Sequence, residues 1–334
     1  MDNTPLDDTT AASKPPLVDA HAHVFCWGER PRDGFLSQRT RRSWLTKLML
    51  WMTGVHKEQG ATISEKMRSR LLRHVDQSTL DYVVVLAQDA VYRDDGSRDD
   101  PATHFYVSND YVLDLAKRSS KVLPGCSINP IRRDALAELE RVCEAGSRLV
   151  KIHTAIQGVD PALARFDAFY RRAAELGVVL MFHTGYEHSC TVQSQDFADP
   201  ARLERPLGHG GTIIAAHCGT CALYDRGDQY PSFVEMMHRH DNLYGDTAIM
   251  AGLIRLRSLR RLSREGSDVT GRILHGSDYP FPPARLPFVF RTGLFPPQRR
   301  NTFDMDLRIK QSFQFSPGYA CKLLELLGHP AVSR

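Results

Sequence analysis

The chain has 334 residues, 42% of them apolar and 25% charged, with 23 Gly and 19 Pro. That apolar share can bury a sizeable core, which excludes a disordered chain, and the even composition excludes collagen-like and low-complexity classes. A balance of 43 basic against 39 acidic residues gives a net charge of +4 with no long Lys/Arg run, so nucleic acid is not an expected partner.

The first eighteen residues, MDNTPLDDTTAASKPPLV, are polar and acidic. They lack the apolar stretch of a secretory signal, and 1–16 reads as a polar leader. A first strand follows over 17–23 (LVDAHAH). Beyond it, Arg30, Arg32, Arg39, Arg41, Arg42 and Lys47 face only Glu29 and Asp33. This is either a solvated loop or a basic flap that attracts a carboxylate substrate. Residues 44–55 are the most apolar run, yet too short to span a bilayer, so no membrane partner is expected. Trp44, Leu45, Leu48, Trp51, Met52 and Val55 fit one helix face. That suits a packed lid helix, with a membrane-facing or oligomer-contact helix as the second reading.

Strands and helices then alternate. Helices are expected over 63–77, 107–117, 133–145, 161–176, 231–240, 252–264 and 317–327, with a short weak one over 199–207. The 161–176 helix has Asp160 before it, proline at its first position and Gly177 after it. Strands are expected over 80–88, 122–129, 149–153, 178–183, 212–217, 242–246 and 272–278. Such apolar strands suit a parallel sheet buried on both faces. From residue 129 onward the strand ends fall 24 to 34 residues apart, the rhythm of a (β/α)8 barrel. A doubly wound open sheet would want a Gly-rich phosphate loop after the first strand, where His-Ala-His stands instead. The fold class is therefore α/β: a single (β/α)8 TIM barrel over 17–328, with rim insertions over 25–62 and 280–307. Seven scattered cysteines read as reduced thiols of a cytoplasmic protein. Cys218-Gly-Thr-Cys221 is a lone C-x-x-C without a second pair to complete a zinc cage.

Alternation along the strands places Asp19, His21 and His23 on one face, with Val18, Ala20 and Ala22 toward the helices. By the same rule Lys151 sides with His153, Met181 with His183, Ala215 with His217, Tyr244 with Asp246, and Gly276 with Asp278, while His275 points away. Imidazoles and carboxylates at that depth cost several kcal/mol unless they are paired or bind a metal. His21 and His23 can chelate one cation, with His183 and Asp278 reaching it from across the mouth. Nitrogen-rich ligation with one carboxylate and an open position suits Zn²⁺, with Mn, Fe or Co as alternatives.

Asp19-Ala-His-Ala-His23, Val150-Lys-Ile-His153, Phe182-His-Thr-Gly185, Ala216-His-Cys-Gly219, Leu243-Tyr-Gly-Asp246 and Gly276-Ser-Asp-Tyr-Pro280 occur in this order. The ordered set resembles the amidohydrolase superfamily, closest to its amidohydrolase-related branch of hydrolases, lactonases and aromatic-acid decarboxylases, over about residues 17–328. The resemblance implies His21, His23, His183 and Asp278 as ligands of a single divalent metal. It implies His217 as the catalytic histidine that holds or activates the metal-bound water, and Asp278 as a proton acceptor. Lys151 carries three readings: a CO₂-modified lysine bridging two metals, a cation for a substrate carboxylate, or a structural ion pair with Asp246. His153 is a rim residue.

The expected function is a metal-dependent hydrolase that opens an ester, lactone or amide through metal-bound hydroxide, with the 25–62 flap setting specificity. Its substrate is a small, anionic molecule. Non-oxidative decarboxylation of an unsaturated or aromatic acid on the same metal is the alternative. A non-catalytic metal-binding protein that assembles through the 44–55 helix is the remote one. A homodimer is left open.

Overall fold

The computed structural model describes residues 14–293, 301–313 and 315–330. Residues 1–13 of the expected leader and 294–300 of the second expected insertion lie outside the described residues. Ten strands are described: β1 Val18–His23, β2 Gly34–Leu36, β3 Tyr82–Leu86, β4 Phe105–Val107, β5 Val122–Ser127, β6 Leu149–Ile152, β7 Val179–His183, β8 Ile213–Ala216, β9 Leu243–Asp246 and β10 Ile273–Leu274. Eight of them form one sheet in the order β1-β3-β5-β6-β7-β8-β9-β10, and each neighbouring pair is parallel. The last strand returns to the first. Ala20 N donates to His275 O at 2.8 Å, His23 N to Tyr279 O at 2.7 Å, and Asp278 N to His21 O at 2.8 Å. The chain is a TIM barrel, as its strand rhythm predicts.

Two apolar layers follow from alternation. Val84, Leu86, Leu149, Val179, Met181, Ile214, Ala216 and Leu274 fill the interior. Val83, Val85, Val150, Ile152, Leu180, Phe182, Ile213 and Ala215 meet the surrounding helices. β1 breaks the expected pattern. Asp19 pairs with Val83 and Ala22 with Val85, so three steps on β1 oppose two on β3. This bulge inverts the phase of the strand's first half. Val18 and Ala20 therefore join the interior layer, and Asp19 turns outward beside His275 (3.9 Å), away from His21 and His23. His275 does point away from the interior.

The helix Ile63–Asp76 begins at a capping box of Thr62 with Glu65, which satisfies orphan amides at both ends of the pair. Asn109–Arg118, Ala135–Glu144 and Tyr230–Arg239 lie within about two residues of expectation. The 161–176 helix is shorter, Asp167–Glu175 behind a 3₁₀ turn, and the Pro161 carbonyl accepts from the Tyr170 hydroxyl at 3.1 Å. The 317–327 helix shrinks to Lys322–Leu326. The 44–55 helix runs Trp44–Thr53, capped by Ser43 and ended by Gly54 at φ 65°. Sequence alternation overlooks β4, which pairs antiparallel with β2 and clasps the segment after β1 to the loop after β3. No described helix is long and apolar enough to cross a membrane. All seven cysteines are free.

His74 of the Ile63–Asp76 helix is buried, its ring 5.8 Å from that of Tyr279. Burial, with Arg70 and Arg73 beside it, pushes its imidazole down to about 3. The unfolded chain binds that proton near its ordinary value of about 6.5, the folded one does not, so stability is lost as pH falls through this window. Thermal unfolding should show a larger drop in Tm between about pH 7 and about pH 4.5 for the native chain than for His74→Gln. Parallel Tm curves would refute the assignment.

Candidate metal centre

At the C-terminal end of β1, His21 and His23 turn their Nε2 atoms to within 3.1 Å of each other. Asp278 follows β10 with φ 63°, a left-handed turn that delivers its Oδ1 to 3.4 Å from His23 Nε2 and 3.7 Å from His21 Nε2. All three are buried and offer ligand atoms within 4.8 Å of one another. Burial holds both imidazoles well below the usual histidine range. They are neutral near pH 7 and keep a lone pair for a cation. Burial lifts the Asp278 carboxyl above the usual carboxylate range, with Lys151 opposing.

Asp246 lies beneath this trio. Its Oδ2 sits 2.7 Å from His21 Nδ1, and its Oδ1 accepts from His217 N at 2.8 Å and Ala248 N at 3.0 Å. A carboxylate at Nδ1 places the His21 proton there and leaves Nε2 as the acceptor facing His23 and Asp278. Asp246 thus serves as an orienting partner.

His217 reaches the site against the alternation rule. Ala215 belongs to the helix-facing layer and Ala216 to the interior, so regular strand would send His217 outward. Instead His217 (φ 66°) and Cys218 (φ 53°) turn left-handed. The turn sets the His217 ring 4.9 Å from that of His21 and 4.8 Å from that of His183. His217 Nδ1 lies 3.2 Å from Ala248 O, which fixes the proton on Nδ1 and leaves Nε2 as an acceptor.

The four residues expected around one ion divide. His183 stacks on His153 at 3.9 Å and forms a second potential ligand group with His153 and Glu187. Glu187 Oε2 lies 3.0 Å from His153 Nε2 and 3.8 Å from His183 Nε2. Burial works to raise the Glu187 carboxyl, but the bonds from His153 and Ser189 outweigh it and hold it low. His183 Nε2 is buried without a hydrogen-bond partner among the described residues. Lys151 is fully buried and its ammonium is likewise unpartnered. Burial lowers it, while Asp246, Asp278 and Glu187 pull it back.

Sequence reasoning missed Glu187 and Arg255. Arg255 is buried and donates to Thr220 O at 2.7 Å and Tyr186 O at 2.9 Å, while its Nε has no partner. Both follow a strand by several residues, where no periodicity marks them. Gly185, which opens the loop carrying Glu187, holds φ 86°, and a Cβ there would meet Thr220 O at 2.4 Å. That close approach requires glycine. The segment after β1 meets the site through Phe25 rather than an arginine. Phe25 stacks on Phe105 at 5.0 Å and lies 6.3 Å from His23.

The family model described as Amidohydrolase matches residues 18–290. The chain belongs to the amidohydrolase family. Among solved structures, an uncharacterized TIM-barrel protein from Bordetella bronchiseptica is similar at 17% identity and TM-score 0.61, over 94% of this chain and 100% of that one. A probable 2-pyrone-4,6-dicarboxylic acid hydrolase from Acinetobacter baumannii, with citric acid bound, is similar at 13% identity and TM-score 0.53, over 93% and 99%. A 2,6-dihydroxybenzoate decarboxylase complexed with 2,6-dihydroxybenzoate gives 13% identity and TM-score 0.54, over 94% and 100%. At these identities the likeness is one of fold. No curated protein matches the chain. The amidohydrolase resemblance read from the ordered motifs thus holds.

Asp19 ties this site to the barrel. Its Oδ1 accepts from His21 N at 2.9 Å and from Ser277 N at 3.0 Å. Asp19→Ala leaves two buried amides unpaired, each costing about 1–3 kcal/mol. Urea unfolding of metal-free protein should show that loss, and Asp19→Asn, which keeps an acceptor oxygen, should recover most of it.

Proposed function

We propose that this amidohydrolase is a metal-dependent hydrolase acting on an ester, lactone or amide bond of a small carboxylate-bearing molecule. The reading is carried by the convergence of His21, His23 and Asp278 beside His217. The donor set fits a divalent cation: neutral imidazole nitrogens, one carboxylate oxygen, and an orphaned buried His183 Nε2. Two nitrogens with one oxygen favour zinc, with Mn, Fe or Co acceptable. His21, His23 and Asp278 would hold one ion, with His183 completing the set. A cation bound there supplies Lewis acidity and lowers the pKa of a coordinated water to about 7.

The chain's own residues supply the rest. Asp246 holds the His21 ring in the tautomer that ligation needs. His217, with Nδ1 turned to Ala248 O, presents Nε2 as a proton acceptor within reach of the same space. Asp278 shares the proton traffic, taking a proton from the nucleophile and returning it to the leaving group. Lys151 and Arg255, buried cations with unpartnered nitrogens, would hold the substrate carboxylate. Phe25 and Phe105 would wall the His23 side and exclude water. The same two cations support non-oxidative decarboxylation of an unsaturated or aromatic acid as a second reading, because a carboxylate held there sits beside the metal site.

Elemental analysis of protein purified from zinc- or manganese-supplemented medium should give about one equivalent of metal, as expected of a single catalytic site. His21→Ala and Asp278→Ala should lose it. Two equivalents, both lost in Lys151→Ala, would instead make Lys151 a bridging carbamate, and near-zero metal would overturn the reading. Lactones, esters and aromatic or unsaturated acids, assayed with CO₂ release recorded separately, divide hydrolysis from decarboxylation. On the substrate found, His217→Ala should lower kcat by about 10²–10⁴ with metal content unchanged.

A further inference from the structure

We propose that the outer face of the helix Trp44–Thr53 docks the protein onto an anionic membrane surface. Four large apolar side chains on this helix stand in solvent: Trp44 is 74% exposed, Leu48 38%, Trp51 71% and Met52 47%. Their spacing of four, seven and eight residues from Trp44 puts them on one side of the helix. Thr46, Met49 and Thr53 face the protein and are buried. Caps at both ends fix the element, Ser43 accepting from Thr46 N and Gly54 closing in left-handed conformation. A rigid, amphipathic helix thus presents its apolar side outward.

Charge selects the occupant. Residues 37–57 contain Arg39, Arg41, Arg42, Lys47 and Lys57, and no Asp or Glu. Arg39, Arg42, Lys47 and Lys57 are exposed. Among the described residues none of these four forms an ion pair, whereas the next acidic residue, Glu58, is engaged by Arg70 and Arg73. A second copy packed across a two-fold axis would set these cations against their own images. An anionic bilayer satisfies both halves of the face at once. Indole rings settle at the headgroup level, aliphatic side chains enter the acyl boundary, and Lys/Arg pair with lipid phosphates. A second exposed apolar pair, Leu286 and Phe290, follows β10, the strand that closes onto β1. Both apolar elements therefore leave the same sector of the barrel rim. The helix is far too short to cross the membrane and lies on it.

The chain has three tryptophans, two of them on this face, so the protein carries its own probe. With vesicles of phosphatidylcholine plus about 30% phosphatidylglycerol, the full chain should co-sediment and its tryptophan emission should shift to the blue. Phosphatidylcholine alone should bind it at least about tenfold more weakly, and high salt should release it. Trp44→Ser/Trp51→Ser and Arg42→Glu/Lys47→Glu should each weaken binding by about tenfold or more while retaining the native circular dichroism and metal content. Absence of binding to the anionic vesicles at low salt overturns the proposal. So does a dimer, seen by analytical ultracentrifugation, that the tryptophan pair abolishes while vesicle binding survives; that result assigns the face to a second copy. Binding to an acidic polypeptide such as polyglutamate, without vesicle binding, overturns it in favour of a protein partner.

Discussion

Asp19 accepts from the amides of His21 and Ser277 with a single carboxylate oxygen, one donor on each side of the seam where the barrel closes. β10 is only Ile273–Leu274, and its ladder is with β9. Beyond it, closure rests on a few bonds between residues 275–279 and β1. The two sides of this seam carry His21, His23 and Asp278. The separations of 3.4 and 3.7 Å between the Asp278 oxygen and the two histidine nitrogens are therefore consequences of how the barrel is sealed. A slip of one residue at the seam would exchange inward and outward faces and scatter the trio. The bulge in β1 performs that exchange once, on purpose. It lets Asp19 face outward to clamp the seam while His21 and His23, only two and four residues later, both face the mouth.

The electrostatics of the mouth follow from the same burial. Asp246, Asp278 and Glu187 stand opposite Lys151 and Arg255 in a region from which water is largely excluded. Asp246 is committed to His21 and to two amides, and Glu187 to His153 and the Ser189 amide. A buried polar atom left alone costs more than a typical hydrogen bond returns, and His183 Nε2 and Lys151 Nζ are two such atoms among the described residues. The neutral imidazoles and the raised carboxyl of Asp278 follow from the same burial. The imidazoles keep the lone pairs that a cation takes, and a cation beside Asp278 would favour its charged form.

Much of this was legible in the sequence. Eight apolar runs, spaced about thirty residues apart from residue 129 onward, point to a parallel sheet covered on both faces. His-Ala-His in place of a Gly-rich loop after the first strand favours the closed barrel over an open sheet. The ordered His and Asp motifs at their ends specified the family. What escaped was anything that depends on register or on left-handed backbone. The bulge at Asp19–Ala22 leaves no mark in a run of small and polar residues that fits either phase. Alternation with Ala215 turns His217 outward, and a pair of positive φ angles brings it to the site. Glu187 and Arg255 are positioned by loops whose paths are set by tertiary contacts such as Gly185 against Thr220. His183 stacks on His153, with its Nε2 3.8 Å from the Glu187 carboxylate, a neighbourhood that strand alternation does not announce.

The basic segment after β1 shows why a charge pattern must be placed before it is interpreted. In the sequence it reads as a flap that could hold a substrate carboxylate. Exposed cations act through solvent with a screening length of about 8 Å at physiological salt, so they can attract an anion without fixing it. A buried guanidinium or ammonium suffers little such screening and can fix one. In the folded chain the part of this segment that meets His23 is the Phe25 ring, whereas Arg39, Arg42 and Lys47 lie exposed around the outward helix. The buried cations beside the site are Lys151 and Arg255. The arginines that first suggested such a flap are left with two tryptophans beside them, a pairing that serves a large, flat, negatively charged surface better than a small buried anion.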